Sequence, residues 1–250
     1  MVKTYQMKDI SDNYRVNKKD VFSLPSRLII SGNSGCGKSS LAIGNFLLRE
    51  EFYLRDFKPE NIFIFSGSAH GGDNKLMKTI ETLEIPETNL FDSWDETAAS
   101  MIYDEMVENF NEAQDEGRKP DHFLFILDDL SYTNKLQKSI FLNKLYQNSR
   151  KYCGSVWTLV QKYSQLSTAA RENCNGAIFF KCTNKQLELI ERDFNFLHCR
   201  KFFYKMMKDN TTKRHDYIVI DLEKDKMYRN KDFMPLCTCE GEKICNGIKI

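Results

Sequence analysis

The chain has 250 residues, 41% of them apolar and 28% charged, which suits one globular domain with a small appended element. Lys and Arg number 36 against 35 Asp and Glu, a net charge of +1, so no global field draws the protein onto nucleic acid and any such contact needs a local basic patch. Its longest apolar runs are a few residues, as in FLFIL, and MVKTYQMKDISDNYRV lacks the apolar core of a secretory signal; no membrane span is expected, and the eight cysteines are expected as reduced thiols in a cytosol-like, cytoplasmic compartment.

Residues 1–22 are polar and irregular and are expected to form an N-terminal arm. Arg27 to Ser31 reads as a short buried strand, with Leu28, Ile29 and Ile30 contiguous. From Lys38 onward Leu41, Ala42, Phe46 and Leu47 recur at near-helical spacing. The junction between them is GNSGCGKSS, residues 32–40. Glycines there let the chain turn tightly and aim successive N–H groups inward, and such a nest at a helix N-terminus attracts anions. Gly32, Asn33, Ser34, Gly35, Cys36, Gly37, Lys38, Ser39 and Ser40 thus read as a phosphate-binding loop of a nucleotide site. Lys38 is expected to reach the β- and γ-phosphates, and the Ser39 hydroxyl to ligate Mg²⁺.

Further along, NIFIFS (Asn61–Ser66) reads as a second strand and Leu76 to Leu83 as a short helix. Ala99, Ile102, Met106, Phe110 and Ala113 step by three or four, so Asp95 to Gln114 is predicted as a long amphipathic helix. In HFLFILDDL an apolar strand ends in Asp128 and Asp129, where open α/β sheets place their ligands. Asp128 suits the outer shell of Mg²⁺ and Asp129 the polarising of an attacking water; one of the two is equally suited to a helix N-cap.

Leu136, Ile140 and Leu145 suggest the next helix stripe. Ser155–Gln161 and Gly176–Lys181 are predicted strands, and residues 184–193 a helix. Gln161 ends the strand after the acidic one, where an amide could sense the γ-phosphate or the lytic water. Arg150, in NSRKYCG, and Arg171, in TAAREN, are the candidates for an arginine finger reaching a neighbouring subunit. Beyond residue 200, KFFYKMM and DYIVIDL read as strands at an antiparallel edge. The fold class expected is α/β: a P-loop NTPase core over residues 23–200, a mostly parallel central sheet flanked by helices, and a C-terminal β extension with a Cys-containing tail over 201–250.

About 90 residues separate Lys38 from Asp128, and they hold one extra strand, Asn61–Ser66, and a long helix. That arrangement resembles the P-loop branch with an added central strand and an acid beside the metal aspartate, whose members are mostly ATPases coupled to mechanical work. The succession GNSGCGKSS, FLFILDDL, NSRKYCGSVWTLVQ and LSTAARENCNGAIFFK resembles the genome-packaging ATPases of large DNA viruses and their virophages, the poxvirus-type viral branch of the FtsK/HerA-like translocases. The likeness covers residues 25–195. It implies an ATP-hydrolysing motor with Mg²⁺, a homo-oligomeric ring, double-stranded DNA moved through a pore, a capsid or portal partner, and action in the host cytoplasm or a viral factory. It implies roles for Lys38, Ser39, Asp128, Asp129 and Gln161, and a weaker one for Arg150. Asp129 departs from the glutamate that many relatives carry.

DNA threading a pore would be held at its phosphates by loop cations, for which Lys75, Lys78 and Lys162 are candidates. Cys237, Cys239 and Cys245, with Cys199 or His198, allow a zinc reading, though C-x-C-x5-C is irregular spacing and reduced thiols are the default. The alternatives are a small-molecule (nucleoside or nucleotide) kinase, whose arginine-rich lid is not evident here, and a nucleotide switch that does not hydrolyse.

Overall fold

The computed structural model of the chain describes residues 9–69, 74–130, 139–197, 199–224 and 227–236. Its centre is an eight-stranded sheet in the order β3-β2-β4-β5-β1-β6-β7-β8. In chain order the strands are β1 (Arg27–Ser31), β2 (Ile62–Ser66), β3 (Leu90–Phe91), β4 (Phe123–Asp128), β5 (Gly154–Val160), β6 (Gly176–Phe180), β7 (Tyr217–Asp221) and β8 (Tyr228–Arg229). The first six pair in parallel; β7 on β6 and β8 on β7 run antiparallel.

The parallel strands are apolar on both faces, so each face needs a cover. In β4 Phe123, Phe125 and Leu127 enter one core, while Leu124 and Ile126 enter the other. The first core is closed by α2 (Glu96–Asp115), α3 (Ile140–Asn148), α4 (Thr168–Asn173), α5 (Asn184–Phe194) and α6 (Arg200–Asn210). The second is closed by a π-helix, Ser40–Asn45, by α1 (Asn74–Leu83) and by Phe46, Tyr53 and Phe57 packed around Trp157. Each fully buried side chain of this size contributes about 1.5–3 kcal/mol.

Three expectations are corrected. KFFYKMM is helical, within α6, because Phe203, Met206 and Met207 repeat at helical spacing and bury one face. The strand added between β1 and β4 is β5, not Asn61–Ser66, which lies outside β4 as β2. Ile140 is 84% exposed, and the buried stripe of α3 is Phe141, Leu142, Leu145 and Tyr146; Leu136 lies outside the described residues. The described part of the N-terminal segment, residues 9–22, is packed on the body: Val21 and Phe22 are buried, and the Tyr14 hydroxyl accepts a hydrogen bond from Gln114 at 2.6 Å. Cys237, Cys239, Cys245 and His198 fall outside the described residues.

Candidate active site

The C-terminal ends of β1, β4, β5 and β6 open onto one cleft of about 690 Å³, lined by residues 34–41 together with Asp128, Asp129, Gln161, Phe180, His215 and Tyr217. Crossing from β1, the chain is held to its neighbour by the Gly32 amide donating to the Val160 carbonyl at 3.1 Å. A Cβ on Gly32 would lie 2.6 Å from Phe180 Cβ and 2.7 Å from Cys36 Sγ, so only glycine lets the loop pass this close to β6. Gly37 adopts φ +108°, which L side chains rarely reach. The Leu41 amide then donates to the Gly37 carbonyl at 2.9 Å, starting the helical turn whose free amides face the loop. The following segment is π rather than α, with the Phe46 amide reaching the Leu41 carbonyl, a form of helix concentrated at functional sites.

Lys38 is 7% exposed, and its ammonium donates to the carbonyls of Gly32 at 2.8 Å and Asn33 at 3.3 Å. It is thus held beside the nest, where phosphate oxygens would compete for the same donors. Burial pushes the Cys36 thiol up, against the pull of nearby Lys38, so Cys36 is a neutral packing group of the loop.

On the flank toward β5 and β4, the Ser39 hydroxyl donates to Asp128 Oδ2 at 2.7 Å. A hydroxyl from the loop and a buried carboxylate from the end of β4 converging at this separation form an oxygen donor pair that fits Mg²⁺. Asp129, the next residue, is exposed and takes φ +47°, which turns the chain sharply after the strand. Gln161, just beyond β5, donates from Nε2 to Asp129 Oδ1 at 2.8 Å. Five residues singled out in the sequence, Lys38, Ser39, Asp128, Asp129 and Gln161, therefore line one cleft.

The two arginines do not. Arg150 sits in a 3-10 turn, Ser149–Tyr152, ahead of β5, and lines a small recess with Arg27, Asn175 and Glu223 at the opposite end of the sheet. Burial, and then Arg150, lower the pKa of Arg27 there. Arg171 is not placed as a projecting finger. Its guanidinium pairs with Asp193, which also accepts from the Tyr163 hydroxyl at 2.9 Å, and it lies 5.5 Å from the Tyr163 ring centroid. Lys78 and Lys162 are exposed, and Lys75 lies on α1.

The sequence reading missed the flank toward β6 and β7. Arg214 donates from Nε to the Gly35 carbonyl at 3.0 Å, and His215 donates from Nδ1 to the Cys36 carbonyl at 2.8 Å. Two successive outward carbonyls of the phosphate loop are thereby held by the segment before β7. Its signal was TTKRHDY, a run of cations directly ahead of a strand, which resembles an ordinary polar turn.

A model of the Poxvirus A32 protein family matches residues 95–242. Comparison with curated proteins finds no sequence match. Among solved structures, the genome packaging NTPase B204 of Sulfolobus turreted icosahedral virus 2 is similar in its AMPPCP complex, with TM-score 0.55, 12% identity, 82% of this chain and 96% of that chain covered. Its AMP complex gives TM-score 0.56 with the same identity and coverage. B204 of Sulfolobus turreted icosahedral virus, a DNA-packaging ATPase, matches with TM-score 0.51 and 13% identity over 86% of this chain and 98% of that one. At such identities the likeness shows the fold.

Proposed function

The chain belongs to the Poxvirus A32 protein family, and on that premise we propose that it is an ATP-hydrolysing motor that drives double-stranded DNA into a viral capsid. The observation that carries this is the pairing of Ser39 with Asp128 and of Gln161 with Asp129, around one phosphate nest, at the ends of strands adjacent in the sheet. Nucleotide complexes of B204, a packaging NTPase of the same fold, support it.

The loop amides and Lys38 take up the charge of the β- and γ-phosphates. Ser39 and Asp128 would hold Mg²⁺, which when bound would supply further neutralisation of phosphate oxygens. Asp129 accepts the proton of the attacking water, and Gln161, already bonded to Asp129, fixes that water's direction. This division leaves Asp128 to the ion and Asp129 to the proton. Because Arg150 lies at the far end of the sheet from its own cleft, it can act only across a subunit boundary, in a homo-oligomeric ring. Exposed lysines such as Lys78 and Lys162 contact DNA phosphates without reading bases. The motor acts with a capsid or portal partner, in the host cytoplasm or a viral factory.

The test is steady-state ATP hydrolysis with Mg²⁺, with and without long double-stranded DNA, at low and moderate salt. Stimulation by DNA that fades as salt rises is expected of a protein that tracks phosphates. Turnover indifferent to DNA at both salts would leave an ATPase and remove the motor.

A further inference from the structure

The flank of the cleft away from the acids is lined by Phe180, buried at the end of β6, by His215, just before β7, and by Tyr217, its first residue. Hydrolysis uses none of them. Sheet order places them across the phosphate loop from the acids. β5 and β4 lie on one side of β1, and β6 and β7 on the other. With phosphates in the nest and the terminal one beside Asp129 and Gln161, a nucleoside extending away from the acids would approach β6 and β7, whose spacing from β1 is about 4.8 Å per strand.

His215 is anchored there through one side of its ring. A carbonyl has no proton to give, so the 2.8 Å contact with the Cys36 oxygen places the hydrogen on Nδ1. In the neutral ring Nε2 is then purely an acceptor, and among the described residues His215 makes no other hydrogen bond. A Cβ built on Gly37 would lie 3.5 Å from the same Nδ1, so the imidazole stands directly against the phosphate loop. The buried Phe180 ring backs the half-buried Tyr217 ring at 5.1 Å and 54°, so the aromatic wall beside the imidazole is Tyr217. An aromatic wall with one acceptor suits a flat heterocycle that carries an amine.

We propose that His215 is a specificity-determining residue of this site, accepting a hydrogen bond through Nε2 from the 6-amino group of adenine and selecting it over 6-oxo purines. The proposal rests on the nucleotide-binding reading above. Guanine and hypoxanthine place an acceptor oxygen at position 6, so they would set a lone pair against Nε2. One hydrogen bond, with the cost of stranding its partner, corresponds to about a tenfold preference.

Calorimetric titration of the full chain with ADP, GDP and IDP in Mg²⁺ tests it, using wild type, His215→Asn and Lys38→Ala. Asn keeps a donor for the Cys36 carbonyl but has nothing at the Nε2 position. Wild type is expected to bind ADP about tenfold more tightly than GDP or IDP. His215→Asn should bring the three dissociation constants within about threefold of each other, by weakening ADP alone, which a merely loosened loop would not do. Equal wild-type affinity for ADP and IDP overturns the proposal without any variant. A preference intact in His215→Asn, or parallel weakening of all three nucleotides, overturns it too. Either result, with binding still weakened about a hundredfold by Lys38→Ala, leaves the nucleotide reading standing; wild type that binds no nucleotide fails that reading and this proposal together.

Discussion

The two flanks of the phosphate loop are built by different means. On the acid flank, Asp128 and Gln161 sit at or just past the ends of β4 and β5, strands that pair directly and form the centre of both cores. Their side chains are positioned by the same burial that folds the sheet. On the base flank, Arg214 and His215 belong to the exposed segment between α6 and β7 and meet loop carbonyls 179 residues away in the chain. The acid flank is as rigid as the core, while the base flank is as rigid as two hydrogen bonds make it. Chemistry that needs fixed geometry is placed on the first, and recognition on the second.

Substitutions that remove charge from the nest or the acid flank should have the largest effects. Lys38→Ala is expected to weaken ADP binding about a hundredfold, because a charge-assisted contact is lost from a buried position, and to reduce ATP turnover to background. Fluorescent-nucleotide titration and steady-state hydrolysis measure both. Asp129→Asn should leave nucleotide affinity within about threefold and slow hydrolysis by about 10²–10³, the usual worth of a positioned base. Turnover at the wild-type rate would take Asp129 out of the chemistry and leave it as the turn residue its positive φ describes.

The same contrast explains what the amino-acid sequence revealed. β1 matches its predicted range of Arg27 to Ser31, and β2, β5 and β6 agree to within a residue, since turn residues bound each apolar run. Asp128, Asp129 and Gln161 were legible because a polar residue closing such a run is visible in one dimension. KFFYKMM was not, since a dense apolar stretch of seven residues fits either period until its neighbours are known. The two-residue β3 is too short to leave a pattern. Which strand is interposed between β1 and β4 is a property of crossovers, not of local spacing, and so β2 stood in the expectation where β5 belongs. His215 and Arg214 escaped notice because nothing local couples a basic turn to a loop at the other end of the chain.

Of intermediate size are the effects expected at the two arginines. Arg171→Ala removes the buried partner of Asp193, leaving it the Tyr163 hydroxyl and the exposed Arg192, and uncovers the Tyr163 ring, at a cost of about 2 kcal/mol, which for this chain length lowers Tm by about 4–8 °C. Because that lesion is in folding, mixing the variant with Lys38→Ala subunits should restore no ATPase activity. Arg150→Ala should leave Tm within about 2 °C and regain part of its activity in the same mixture, since an intact arginine can then serve a neighbour's cleft. Equal behaviour of the two variants in thermal melts and mixed assemblies would deny Arg150 a role across the boundary.

The smallest expected effect separates the two halves of the base flank. Arg214 holds the Gly35 carbonyl from the exposed outer side of the loop and does not line the nucleotide cleft. Arg214→Ala removes one charge-assisted bond to a group that water can also satisfy, so its cost is about 1 kcal/mol. That loss should fall on the order of the loop, which the phosphates of every nucleotide share. ADP and GDP affinities should therefore drop together, by about three- to tenfold, with their ratio unchanged, whereas His215→Asn should change the ratio. A shifted ratio in Arg214→Ala would mean that the anchor at Gly35 sets the position of the imidazole, and that the segment before β7 reads the base as one unit.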